Sequence, residues 1–185
     1  MVRHPHYMDR HARGLNDIGL VRTAQPIPLS GPNIRSVELW KNLGDFPTTG
    51  LITTGWGMTN LVNRATHSDL QKVKLQYLAP NVCANSCARL KDCGKMNPAN
   101  EMCSSEPRSG VYHGDSGSPV VSRGHQVALV SRGTTTDPNM YFSVPRIYTL
   151  VAPHLKWIEQ TMGSHYRYLR RGSGRPNVIR IRHRG

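Results

Sequence analysis

The 185-residue chain has no apolar stretch long enough to cross a bilayer as a helix, so a membrane-spanning helix is excluded. No segment recurs at a fixed period, which excludes solenoids and propellers. Helical periodicity is scarce: only Ala152–Met162 places apolar residues on one face, through Leu155, Ile158 and Met162, and a helical bundle is excluded. No secretory leader opens the chain. Acidic residues are few, 11 against 24 Lys and Arg, which leaves a net charge of +13. His4, His6 and His11 have no companion carboxylates at useful spacing, so no metal site and no cofactor are read from them.

What remains is a pattern of short strands. Val73, Leu75 and Tyr77 alternate with Lys72, Lys74 and Gln76, as a half-buried strand requires. Val127–Val130 and Met140–Val144 read the same way, and Gly, Pro and Asn punctuate the intervals. The length suits one domain or two small barrels sharing a cleft, all-β with a terminal helix.

Within that pattern stands Gly114-Asp115-Ser116-Gly117-Ser118-Pro119. A serine is a poor nucleophile unless a tight, exposed turn presents it to backbone N–H groups aimed at one point. Glycines on both sides permit such a turn. Three chain orders of serine, histidine and carboxylate could use it. Asp137 and His154 would complete the α/β-hydrolase order, but that needs G-x-S-x-G leading into a helix. Ser118 replaces the last glycine, and Pro119-Val120-Val121 reads as a strand. His67, between Asp17 and Ser116, would complete the subtilisin order, yet nothing around Ser116 suits a helical serine. The third order places a histidine first, then Asp17, then Ser116.

Motifs along the chain favour the third order. Asn16-Asp17-Ile18-Gly19-Leu20 resembles the N-D-I-A-L segment of chymotrypsin-like serine proteases, with His4-Pro5 and Tyr7 before it. Thr54-Gly55-Trp56-Gly57 resembles their T-G-W-G, Leu70-Gln71-Lys72-Val73 their L-Q-x-V, and Ser131-Arg132-Gly133 falls where they have S-W-G. Ile147-Tyr148-Thr149, Val151, Trp157 and Ile158 resemble their closing strand and helix. The resemblance covers roughly residues 1–162. It implies two Greek-key β-barrels of the chymotrypsin type, the first barrel incomplete, plus the C-terminal helix.

That resemblance implies roles. Ser116 is the nucleophile, and Asp17 orients the general-base histidine. The N–H groups of Gly114 and Ser116 form the oxyanion hole, and Ser131, Arg132 and Gly133 pair with the substrate backbone. Gly110 falls at the base of the specificity pocket, where trypsin-like members carry aspartate, which argues against cleavage after Lys or Arg. Arg146 stands where most members have glycine, and its guanidinium could receive an acidic side chain. Arg132 replaces the usual tryptophan and adds positive charge. Protein or peptide substrates, a monomeric state and an extracellular, secreted location follow from the family and its cysteines.

All four cysteines, Cys83, Cys87, Cys93 and Cys103, lie in one window. The family bridge that closes the loop before the nucleophile implies Cys87–Cys103, with Cys83–Cys93 as a second bridge, although four cysteines allow three pairings. A zinc site is the weaker alternative, because the spacing lacks coupled C-x2–4-C pairs. Two other family bridges are absent with both partners: Leu51 and Ser122 occupy one pair of positions, and Tyr112 and Thr134–Thr136 cover the other.

The largest departure is the missing T-A-A-H-C segment. Only sixteen residues precede Asp17, and no such segment is among them. His4, His6, His11 and His113 are read as solvated surface residues rather than substitutes. Loss of the triad histidine costs on the order of 10⁶ in turnover, so the chain is expected to be nearly inert. It is read as a fragment of a longer enzyme or as a non-catalytic homologue acting as a cationic binding or regulatory protein. Residues 163–185 hold seven arginines and no acidic residue. They read as a disordered tail, with a polyanion such as heparin or nucleic acid as its candidate partner.

Overall fold

The computed structural model describes residues 1–8, 14–29, 32–60, 63–90, 93, 96–106, 109–133 and 144–169, the side chains of 164–169 excepted. The strands are β1 (Val2–Arg3), β2 (Gly19–Leu20), β3 (Glu38–Leu39), β4 (Leu51–Gly55) and β5 (Gln71–Leu75). They continue as β6 (Tyr77–Leu78), β7 (Glu101–Ser104), β8 (Pro119–Ser122), β9 (His125–Arg132) and β10 (Arg146–Leu150). Helix α1 spans Pro80–Cys87 and α2 spans Leu155–Leu169.

The large sheet runs β5-β4-β8-β9-β10-β7-β6, and β3 pairs in parallel with β9. After Gln76 the chain that forms β5 continues directly as β6. One short stretch therefore pairs with β4 at one end of the order and with β7 at the other. A flat sheet cannot be met at both ends by one continuous strand, so the sheet curls into a nearly closed barrel. Register shifts at Val120/Val121 and Ile147/Tyr148 supply local bends of the kind closure needs.

The expected alternation holds: Leu75 is buried and Val73 and Tyr77 half-buried, while Lys72, Lys74 and Gln76 are exposed. Leu51, Met102, Val120, Val127, Val130 and Tyr148 fill the barrel. Tyr148 is wholly buried, and its hydroxyl finds Ser104 Oγ at 2.7 Å, as a buried phenol requires. A second cluster joins Ile18 and Leu20 to Leu129, Val151 and Ile158, with Leu39, Leu155, Trp157 and Met162 packed against it. It docks the two-stranded sheet of β1 and β2 onto α2. Two β-barrels, the first incomplete, with a terminal helix were expected; the structure has a mostly β fold with one nearly closed barrel, a second, two-stranded sheet and a C-terminal helix.

Three expectations are changed. Helix α1 is not legible as an amphipathic stretch; Pro80 at its first position, where a missing N–H costs nothing, is the cue. Helix α2 runs to Leu169, so Gly163–Leu169 continue the helix rather than start the tail; residues 170–185 lie outside the described residues, as do 140–143 of the expected strand at Met140–Val144. The bridges are Cys83–Cys103 and Cys87–Cys93, not Cys87–Cys103 and Cys83–Cys93. The reason is register. Leu78 lies opposite Cys103 in the β6–β7 pair, so the first turn of α1, with Cys83, starts beside Cys103. Cys87 sits one turn further on, where Leu90 N–H bonds back to Cys87 O and the chain returns with Cys93. All four sulfurs are thereby held in disulfides and buried with Met96 and Ile147.

Candidate active site

The turn at Gly114–Ser118 is built on two left-handed glycines, Gly114 at φ 97° and Gly117 at φ 80°. Asp115 N–H donates to Tyr112 O and Ser118 N–H to Asp115 O, both at 3.0 Å. Gly117 N–H donates to Val130 O at 2.8 Å, and Val130 N–H returns to Ser118 O at 3.0 Å, which binds the turn to β9. Ser116 is left exposed at the apex. Among the described residues, the N–H groups of Gly114 and Ser116 have no acceptor inside the protein.

The carboxylate of Asp115 turns inward, away from Ser116. Oδ1 accepts Gly57 N–H and Oδ2 accepts Tyr112 N–H, each at 2.9 Å. This explains both glycines of the Thr54–Gly57 motif. A Cβ on Gly57 would lie 2.5 Å from the carboxylate, and one on Gly55 would collide with Oδ1. A Cβ on Gly114 would meet Gly57 Cα at 3.0 Å. Two motifs 58 residues apart are thus one interlocked object.

Asp17 is 7% exposed, and its Oδ2 accepts the Ser131 hydroxyl at 2.7 Å. Ser131 follows Val130, the residue that holds the Ser116 turn, so β9 brings Asp17 and Ser116 into one region. Asn16, at φ 54°, makes the bend that presents Asp17. Its Nδ2 donates to His6 O at 2.9 Å. Its Oδ1 receives Asn100 Nδ2 at 3.2 Å and lies 3.1 Å from His154 Nε2.

The two unusual arginines do not reach toward solvent. Arg132 points into the protein, where Nη1 meets Glu101 Oε1 and donates to Gly14 O at 3.4 Å. The positive charge expected of it in the cleft is matched by Glu101. Gly110 and Arg146 do come together: a Cβ on Gly110, at φ 135°, would lie 2.8 Å from Arg146 Cζ. Arg146 is only 1% exposed, however. Its Nε donates to Val111 O at 3.3 Å, and Nη1 lies 3.6 Å from Glu106 Oε2. The guanidinium expected to wait for an acidic side chain already faces one. Burial raises the Glu106 pKa, while Gln76 N–H, the Ser104 hydroxyl and Arg146 act in the opposite direction.

Glu101 and Glu106 were not singled out from the sequence. The available signal was chemical: an arginine at a normally apolar strand position needs a buried counter-charge, and these two carboxylates lie just before the Ser116 turn. Of the histidines, His113 stands exposed against the Tyr112 ring at 4.7 Å, and His67 is exposed with Nδ1 accepting Asp69 N–H. His4 is half-buried against Trp157, and His154, 3% exposed, is buried behind Asn16. No histidine among the described residues hydrogen-bonds Ser116. His11 lies outside the described residues.

Residues 1–158 match the sequence model of the family described as Trypsin. The chain is 29% identical over 175 residues to duodenase-1 of Bos taurus, covering 93% of this chain and 62% of that protein. It is 32% identical over 167 residues to human kallikrein-7, covering 88% and 60%. Among solved structures it is similar to neuropsin, a serine protease expressed in the limbic system of mouse brain, with TM-score 0.71 and 26% identity over 87% of this chain and 69% of that one. The chain spans about three fifths of the length of the curated relatives it matches.

Proposed function

Because the chain belongs to the trypsin family of serine proteases, we propose that its cleft is built to open peptide bonds through an acyl-enzyme, with Ser116 as nucleophile. Ser116 Oγ adds to the carbonyl carbon and its proton passes to an imidazole that Asp17 holds in the productive tautomer. The N–H groups of Gly114 and Ser116 receive the oxyanion, each such donor contributing about 10²–10³ in rate. The imidazole then protonates the leaving amine, and water releases the acyl group. Ser131–Gly133 offers a strand edge to the substrate backbone. The supporting observation is the path Asp17–Ser131–Val130–Gly117, which couples the carboxylate to the serine turn through two hydrogen bonds.

Two features narrow the reading. Gly110 carries no carboxylate for a Lys or Arg side chain, and Glu106 offsets the charge of Arg146, so we assign the pocket an uncharged preference rather than an acidic one. Among the described residues no histidine hydrogen-bonds Ser116, so free imidazole can be asked to serve as the base. Two buried disulfides suit an oxidising compartment, and we place the protein outside the cytosol, as a monomer acting on protein substrates.

The test is chemical rescue. A fluorophosphonate probe should label Ser116 slowly, faster when free imidazole is added, with Asp17→Asn blunting the gain. Labelling that survives in Ser116→Ala, or an imidazole response at another residue, overturns the proposal. The seven arginines of residues 163–185 also favour a second reading, a cationic binding protein on the same fold. Salt-sensitive retention on heparin that disappears when residues 170–185 are deleted supports it, and unchanged retention rejects it.

A further inference from the structure

Behind Asp17, away from Ser131, the N-terminal arm meets the start of the C-terminal helix through imidazole rings. His4 lies edge-on to His154 with ring centroids 5.3 Å apart, 4.8 Å from Trp157 and 5.9 Å from His6. Its N–H donates to Ile18 O at 3.0 Å, extending the β1–β2 pairing. Its Nδ1 accepts the His6 N–H at 3.2 Å, so the neutral ring carries its proton on Nε2, and a second proton can be added only by losing that bond.

His154 is placed differently. Nδ1 lies 2.8 Å from Leu150 O and Nε2 lies 3.1 Å from Asn16 Oδ1. The Asn16 amide cannot be flipped without cost, because its Nδ2 donates to a carbonyl, His6 O. Both partners of His154 are therefore oxygens, and a neutral imidazole has one N–H to give them. A proton completes the set, but the cation it makes is buried and faces the edge of His4. Two such rings cannot both be charged at this distance without repulsion.

We propose that His4 and His154 form an acid-released latch, holding the N-terminal arm on the C-terminal helix and thereby positioning the Asn16–Asp17 turn. The value of that positioning to catalysis rests on the active-site reading above; the latch itself does not. The other groups that face it are already engaged. His6 supplies its backbone N–H and O, and Asn100 bonds Asn16. Glu101, next to Asn100, takes Arg132 and the Asn97 N–H, and Asp17 takes the Ser131 hydroxyl. Arg3 lies over the Tyr7 ring, and Lys156 is exposed on α2.

The direction follows from burial. His4 is lowered from 6.5 to about 4, by burial first and then by the charges of His154 and His6. His154 is lowered by burial against the opposing pull of Leu150 O. The undocked arm takes up protons near the ordinary value and the docked arm only near 4. Docking is therefore full above about 6.5 and weakens as pH falls from there toward the lowered value of His4, about 4.

Hydrogen exchange on the whole chain, corrected for intrinsic rate and followed from about pH 7 to about pH 4, tests the latch. Protection of residues 2–8 and 14–20 should fall at least about tenfold across that range while β9 and β10 stay protected. His4→Phe, which keeps a ring against Trp157 but cannot be protonated, should retain protection to the acid end. Unchanged protection in the parent chain, or loss at the same pH in His4→Phe, overturns the proposal. Should that variant not fold, NMR titration of the parent decides: ordinary midpoints for both rings refute the latch, and midpoints well below them support it. Failure of imidazole rescue at neutral pH with the latch intact would count against the active-site reading alone.

Discussion

The barrel and the N-terminal arm use opposite means to stay folded. In the barrel, strands β4–β10 close on themselves, so the sheet keeps few free edges, and the stabilisation is largely burial of apolar side chains such as Leu51, Val120, Val127 and Tyr148. The arm has two short strands, leaves Met1, Val2 and Met8 exposed, and is held by a thin apolar contact at Ile18 and Leu20 plus polar ties at Gly14, Asn16 and His4. A closed sheet resists local loss because each strand is paired on both sides. A docked hairpin can leave as a unit. The Ser116 turn is thus bound to a strand paired on both sides, whereas the Asp17 turn is held by a few polar ties and a small apolar contact.

The comparison can be broken most severely at the barrel ion pair of Glu101 and Arg132, because Arg132 also ties Gly14 of the arm to β9. Glu101→Ala strands the Arg132 guanidinium in a largely buried site and should cost about 3–5 kcal/mol in denaturant unfolding. Pairing Glu101→Leu with Arg132→Trp should recover most of that loss, because it replaces a buried ion pair with apolar contacts; no recovery would mean that the tie to Gly14 matters more than the charge. Next in size, Leu51→Ala in the barrel should cost about 2–5 kcal/mol, and Leu20→Ala in the arm should fall at or below the low end of that range. Equal losses would show the arm to be as integral as the barrel. The acid release of the latch is the smallest effect, about tenfold in local exchange, or about 1.4 kcal/mol.

The motifs around the site were legible because each one encodes its own backbone. The glycines of Gly114–Gly117 demand a left-handed turn, the alternation at Val73–Tyr77 demands a strand with one wet face, and Asn16-Asp17 demands a bend. What was not legible depends on which strand lies beside which. The cysteine pairing turned on Leu78 standing opposite Cys103, a register that no spacing along the chain contains. Arg132 and Arg146 were expected to charge the cleft, because the sequence shows their type but not that Glu101 and Glu106 lie within reach. Likewise His4 and His154 are 150 residues apart and meet only because α2 folds back over β2.

The amino-acid order by itself determined the strand-rich class, the exposed serine on its glycine turn and the bend at Asn16-Asp17, since these follow from local dihedral and periodicity constraints. Only the tertiary structure decided which charges are cancelled, which sulfurs are joined and which histidines confront each other. Those outcomes depend on distances across the barrel and on removal of water from between the groups, and neither is a property of neighbours in sequence.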